Sequence, residues 1–320
     1  MWRTVGEGAV RGTLLMFPKA KQFAKTSGLS KFKSLSPRGA VVRKTLPLPA
    51  GSLGRFGSLE VRLAVSKREI RKAQRLRYKV FFEEGHAIPD RTAAIIRRDI
   101  DPFDKICDHL IVIDHAAISR FGRIKPKVVG TYRLLRQDVA ERYDGFYSAQ
   151  EFDIAPLLAR HKGKRFLELG RSCVLLQYRS KRTLELLWRG IKAYLDHHAI
   201  DVMIGCASFE GTNPLALALP LSFLHHHARG ADAWHARALG DRLVPMGLID
   251  PTAISARRAI SALPPLIKGY LRLGARFGEG AVVDHQFGTT DVLVMMPVAE
   301  LDPRYVAHFG GSAAETSVAA

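Results

Sequence analysis

FLELGRSCVL, Phe166 to Leu175, has the apolar run of a buried strand, yet Glu168, Gly170, Arg171 and Ser172 stand inside it. Side chains of a regular strand alternate between faces, so Glu168 and Arg171, three positions apart, would point to opposite sides. A bulge at Gly170 would shift the register by one, bring the pair onto one face, and leave a backbone N–H unpaired near Ser172 to Val174. The residues that follow, QYRSKRTLELLWRGIKAYLDHH, put Leu184, Leu187, Trp188, Ile191 and Leu195 on one apolar stripe. A helix therefore follows the strand across a basic turn.

Working outward, SLEVRLAV (Ser58 to Val65) reads as a strand, and Ser66-Lys67-Arg68-Glu69 as a capping box opening a helix to about Glu83. Ile70, Ala73, Leu76, Val80 and Phe81 share one arc of that helix, and Arg77 falls inside it. Arg77 is thus expected to point inward, where a guanidinium requires a carboxylate partner. The stretch GHAIPDRTAAIIRRDIDPFDKICD has little regular pattern. Asp108–Asp114 and Lys127–Arg136 read as consecutive strands, SAQEFDIAPLLARH as a helical piece, and IDVMIGCASF as a buried strand. LPPLIKGYLRLGA starts with Pro and ends with Gly as helices do, and TDVLVMMPV is a late strand. The expectation is one α/β domain at residues 58–310, a mixed central sheet flanked by helices. Residues 1–57 read as a basic, disordered arm and 311–320 as a disordered tail.

The 320 residues are 47% hydrophobic and 25% charged, ordinary for a folded domain, but the net charge of +19 is not. Such a charge implies an acidic partner: nucleic acid, an anionic membrane face or an acidic carrier protein. Cys107, Cys173 and Cys206 lack C-x-x-C spacing, so no disulfide framework or zinc site is expected, and a reduced cytoplasm is. The most apolar run, PLALALPLSFL, is far short of the ~20 residues a spanning helix needs. The basic N-terminal stretch lacks the apolar segment and cleavage site of a secretory signal. No helix-turn-helix, zinc or RNA-stacking signature supports nucleic acid as partner.

VVGTYRLL, FLELGRSC, DPFD followed by DHL, FYSAQEFD, LLWRGI, GCASF and LPPLIKGYLRLGA occur in order, and together they resemble the ornithine lipid N-acyltransferases. That family lies in the GNAT superfamily and is related to the acyl-homoserine-lactone synthases; the likeness runs from about Leu59 to His308. The resemblance implies a fold whose splayed central strands hold a phosphopantetheine arm. It implies transfer of a 3-hydroxyacyl group from acyl carrier protein to the α-amine of L-ornithine, giving lyso-ornithine lipid. Arg77, Phe81, Asp101, Asp104, Arg133, Glu168 and Arg171 fall where the synthases carry their functional Arg, Phe, Asp-x-x-Asp, Arg and Glu-x-x-Arg pattern. The tryptophan that follows the Phe there is missing from FFEEGHAI, which points away from a nucleoside-bearing acceptor and toward a simple amino acid.

Under this reading Glu168, held near Arg171, is the candidate base and the two form the catalytic pair, Arg77, Phe81, Asp101, Asp104 and Arg133 are substrate-binding, and a free N–H at Ser172 to Val174 meets the thioester oxyanion. A buried Glu168–Arg171 ion pair with no catalytic part is the alternative. Asp101 and Asp104 would anchor Arg77 or Arg133 and bind the acceptor's ammonium groups, or merely cap a turn. GNAT enzymes that use coenzyme A carry a glycine loop before the corresponding helix, and this chain has QYRSKR instead. Arg179, Lys181 and Arg182 are then expected to hold the phosphopantetheine phosphate and the carrier surface, against an ordinary basic helix start. No bound cofactor or metal is expected: adjacent His225 to His227 cannot converge on one ion, Cys173 reads as a buried inert thiol, and Met295 and Met296 as core. The basic arm suggests a cytoplasmic enzyme attached peripherally to the anionic inner membrane. The alternatives are an N-acyl amino-acid or acyl-homoserine-lactone-type signal synthase, or a non-enzymatic basic nucleic-acid or lipid-binding module.

Overall fold

A computed structural model describes residues 51–302. The strands, in chain order, are β1 (Gly54–Phe56), β2 (Leu59–Leu63), β3 (Asp108–Asp114), β4 (Lys127–Arg136), β5 (Phe152–Asp153) and β6 (Phe166–Val174). They continue with β7 (Val202–Glu210), β8 (Arg237–Ala238), β9 (Leu243–Val244), β10 (Arg276–Asp284) and β11 (Thr289–Pro297). They form one mixed sheet in the order β1-β2-β3-β4-β6-β7-β11-β10-β8-β5, with β9 against β10. β1 precedes residue 58, so the sheet starts inside the stretch read as arm. The rest of that arm and the tail from residue 303 lie outside the described residues. None of the described helices is long and apolar enough to cross a membrane.

Helix Lys67–Tyr78 begins at Ser66, whose hydroxyl accepts from the Glu69 N–H at 3.3 Å. The Glu69 carboxylate takes the N–H of Val65 at 2.9 Å and pairs with Arg62 rather than closing a box on Ser66. The helix ends at Tyr78 and passes into a π-turn, Lys79–Glu83. The irregular stretch after it holds a short helix, Arg91–Ile96, and a 3-10 turn, Pro102–Lys105. SAQEFDIAPLLARH is not one helix: it splits into a 3-10 turn (Tyr147–Gln150), β5, and helix Ala155–Arg160.

Helix Lys181–His198 lies on β1 to β4, burying Leu187, Trp188, Ile191 and Leu195; Leu184, expected in the same stripe, is 42% exposed. Each fully buried aliphatic contributes about 1.5–3 kcal/mol. Gly190 permits the close packing, since a Cβ there would lie 2.8 Å from Val61 and 2.9 Å from Leu110. Helix Pro265–Arg272 matches its sequence signature. β10 has no counterpart in the sequence reading, because Gly278 and Gly280 interrupt its alternation.

Two irregularities place the site. Thr131 pairs with Cys173 and Arg133 with Gly170, so Arg171 and Ser172 together oppose Tyr132. The bulge expected at Gly170 is therefore one residue further on, and Arg171 carries the left-handed backbone with φ 50°. Holding a non-glycine residue there costs about 1–2 kcal/mol. Second, β6 and β7 run parallel through only three pairs, Phe166–Val202, Leu167–Met203 and Glu168–Ile204. Beyond them β6 stays with β4 to Val174 and β7 stays with β11 to Glu210, so the two strands diverge into a wedge. Gly205 stands at its vertex, where a Cβ would lie 2.3 Å from the Leu169 carbonyl oxygen.

Candidate active site

The wedge opens into a cleft of about 400 Å³. One wall is β6 from Glu168 to Ser172 and the other is β7 from Cys206 to Ser208, with Phe81, Arg133, Tyr147, Phe287 and Asp291 around them. Because β6 has no partner on this side past Glu168, backbone polar groups on that edge have no ladder to join. Phe81, on the π-turn, meets Phe287 edge to face at 5.8 Å.

Behind the cleft lies a buried charge network. Arg77, 0% exposed, donates from Nε to Asp99 and from Nη2 to Asp104, both at 2.7 Å. Arg133 donates to Asp101 at 2.5 Å and lies 3.4 Å from Asp104. Arg171 lies 3.3 Å from Asp99 and 3.2 Å from Asp101, with its guanidinium over the Tyr147 and Phe287 rings. Burial pushes the pKa of Asp101 and Asp104 up, but Arg133 and Arg171 outweigh it at Asp101, and Arg77 at Asp104. Both carboxyls are held below the usual aspartate range. Both anchor buried arginines, Asp104 holding Arg77 and Asp101 holding Arg133, and neither lines the cleft. Asp104 also takes the Asp101 N–H at 3.4 Å, so the capping role coexists with the anchoring one. Asp99, shared by Arg77 and Arg171, was not singled out from the sequence.

Glu168 does not pair with Arg171. With its backbone in the left-handed region, Arg171 turns out of the strand's line toward the 99–101 segment. Glu168 instead accepts the N–H groups of Tyr147 at 2.8 Å and Ser148 at 2.7 Å, together with the Ser148 hydroxyl. Burial raises its pKa above the ordinary value and these donors oppose the rise. The residues holding it belong to FYSAQEFD, which the sequence reading named as a motif without giving it this task. Burial pushes the neighbouring Tyr147 phenol up to about 12.

Ser172 lines the cleft, while the Val174 carbonyl accepts from Arg179 at 3.0 Å and its side chain packs on Gly130. Of the basic turn only Arg179 borders the cleft, also meeting Glu84 at 3.3 Å. Lys181 pairs with Glu185 in solvent, and Arg182 covers Phe56. The Ser180 hydroxyl caps the long helix at the Thr183 N–H. Cys173 is buried with its thiol pushed up to about 12, Met295 and Met296 are core, and His226 reaches the Ile249 carbonyl. On the far wall, Asp284 and Asp291 line the cleft with Glu151 close by, near enough to share a cation. Burial and Asp291 push Glu151 up to about 7.

Residues 76–189 match the family described as Acetyltransferase (GNAT) domain. The L-ornithine N(alpha)-acyltransferase of Agrobacterium fabrum (strain C58 / ATCC 33970) is 53% identical over 87% of this chain and 93% of its own length. That of Rhizobium meliloti (strain 1021) is equally similar over the same shares, 53%, 87% and 93%. The Brucella abortus (strain 2308) enzyme of the same name is 52% identical over 82% of this chain and 92% of its own length. Among solved structures, FeeM, an N-acyl amino acid synthase from uncultured soil microbes, aligns with a TM-score of 0.42 at 13% identity over 76% of this chain and 92% of FeeM.

Proposed function

This chain belongs to the L-ornithine N(alpha)-acyltransferase family and is a GNAT acyltransferase, and from that premise we propose that it acylates the α-amine of L-ornithine. The donor is a 3-hydroxyacyl thioester on the phosphopantetheine of acyl carrier protein, and the product is lyso-ornithine lipid. The observation that carries the reading is the wedge between β6 and β7, which brings Glu168 and an unpaired strand edge into one cleft.

The thioester carbonyl enters the wedge and the amine approaches from the Glu168 side. As the nitrogen attacks, charge builds on the carbonyl oxygen, and a backbone N–H of the Ser172 to Val174 edge receives it; one such donor contributes roughly 3 kcal/mol. Glu168 takes the amine's proton, directly or through a water. Its raised pKa brings its basicity closer to what the step needs, and Tyr147 and Ser148 fix its position. The C–S bond then breaks, the amide is left, and the proton goes out with the phosphopantetheine thiol. Arg179 at the cleft border receives the phosphopantetheine phosphate, while exposed Lys181 and Arg182 face the acidic carrier.

Peripheral attachment to the cytoplasmic face of an anionic inner membrane completes the reading. In its support, the turn bridged at Ile118–Ile124 exposes Ile118, Phe121 and Ile124 by 72%, 74% and 72%. Lys72, Arg75, Lys79, Arg120, Lys125 and Lys127 line the hollow beside it. Apolar tips with a basic collar suit an interface at which each cation adds about 1 kcal/mol.

The test is incubation of the purified chain with 3-hydroxyacyl carrier protein or the matching coenzyme A thioester and single amino acids, with the amide identified by mass. Ornithine amide formed from the carrier thioester is expected. Product from coenzyme A alone, or from every amino acid equally, refutes the donor or the acceptor respectively.

A further inference from the structure

The acceptor proposed above carries two amines, and only one is acylated. The other remains a cation that must leave bulk water as the cleft fills, which requires anionic partners. Asp101 and Asp104 pair with buried arginines and neither lines the cleft. Of the other carboxylates at the cleft, Glu84 pairs with Arg179 and the exposed Glu210 with His86. Asp284 and Asp291 remain, with Glu151 beside them, and their ligand oxygens all lie within 4.8 Å of one another.

Their partners are few. Asp284 accepts the N–H groups of Gln286 at 2.8 Å and Phe287 at 3.0 Å. Glu151 accepts from the Cys206 thiol at 3.4 Å and lies 3.6 Å from Arg242. Asp291 is only 7% exposed and lines the cleft, yet its Oδ1 has no hydrogen-bond partner. A buried carboxylate oxygen left unmet inside a cavity is costly unless something enters to meet it.

The register ties this group to Glu168. Asp291 pairs with Ser208 and with Val282, so the three share one face of the sheet. Asp284 lies two residues beyond Val282, and Cys206 two before Ser208, which keeps both on that face. Ile204, two further back, pairs with Glu168. Cys206 thus lies between the two ends, its thiol pushed up by burial, by Glu151 and Asp291, and by Glu168.

We propose that Glu151, Asp284 and Asp291 seat the second, unreacted ammonium of a diamino acid acceptor, selecting it over monoamine amino acids. The inference rests on the function proposed above and adds the specificity determinant to it. A primary ammonium has three N–H donors and no acceptor, one for each carboxylate. Oxygens ~2.8 Å from a common nitrogen at tetrahedral angles are ~4.6 Å apart, which the cluster accommodates. The acceptor lies across Cys206, α-amine toward Glu168 and terminal ammonium on the trio. A monoamine of equal length leaves the carboxylates unmet, and sites built for a polar group reject analogues lacking it strongly.

The test compares L-ornithine with L-norvaline, the same carbon skeleton without the terminal amine, in turnover with acyl carrier protein thioester and in calorimetric binding without donor. The intact chain is expected to favour ornithine by about 100-fold or more in kcat/KM. In Asp291→Asn and Asp284→Asn that ratio should collapse, mainly through a higher KM for ornithine. An unchanged ratio in both variants, or equal binding of the two amino acids by the intact chain, overturns the seat while leaving ornithine acylation standing. If ornithine is bound preferentially but never acylated, the seat stands and the reaction assignment falls. Should the variants not fold, the binding preference of the intact chain decides alone. Stoichiometric divalent metal in the purified chain, with activity lost to a chelator, identifies a metal site and overturns the ammonium.

Discussion

Glu168 sits among three donors without an ion pair, so its chemistry is set first by burial and then by hydrogen bonding, with Arg133 a smaller pull in the same direction as the donors. Glu168→Gln must present its NH₂ group to at least one N–H that now donates to an oxygen, a clash costing about 1–3 kcal/mol. The variant is therefore expected to melt slightly lower and to lose about 10²–10⁴ in the chemical step, read by single-turnover acyl transfer. A base works when deprotonated, so the rate should rise with pH through the Glu168 pKa, on a limb above the ordinary glutamate value of 4.5. Loss of activity in Glu168→Gln with that limb unmoved removes the base role. Arg77's inward position was legible because helical phase alone places it in the apolar arc. The holders of Glu168 were not, because Tyr147 and Ser148 are 20 residues or more away along the chain and donate backbone N–H groups, which every residue type but proline carries.

At the scale of elements, three arginines from one helix and two strands are met by Asp99, Asp101 and Asp104, all from one short segment. Removing one partner strands a buried charge, so Arg171→Ala should destabilise the fold by about 3–5 kcal/mol, measured by denaturant melts. Asp101 and Asp104 have lowered folded pKa values, so their contribution is complete above the ordinary aspartate value of 3.8. It is lost as pH falls through the folded values, and acid unfolding should steepen below about pH 4. A melting temperature flat from pH 5 to 2 contradicts the network's role. The strand at Phe166 and the helix after it were legible from period, as was the need for a bulge. Its exact seat was not: glycine is the residue expected at a left-handed position, yet Arg171 adopts it, held by carboxylates that the strand's own sequence does not contain.

For the whole molecule the deciding residue is Gly205. Gly205→Val would drive side-chain carbon into the Leu169 carbonyl, and the strands must part or the chain must unfold. A loss of several kcal/mol, or a folded protein without acyl transfer, is expected from melts and turnover; full activity with unchanged stability contradicts the vertex. The wedge has a mechanical consequence. β1 to β4 with β6 form one ribbon, and β7, β11 and β10 another; across the sheet they are joined by three residue pairs. That seam acts as a hinge line. On one face the phenol oxygens of Tyr132, from the first ribbon, and Tyr270, from the helix before β10, meet at 3.1 Å like a latch. Spreading the ribbons to release an acylated product would break a few hydrogen bonds and leave each ribbon whole. Amide exchange should accordingly be faster at Val202 to Ile204 than in the middle of β3 or β11.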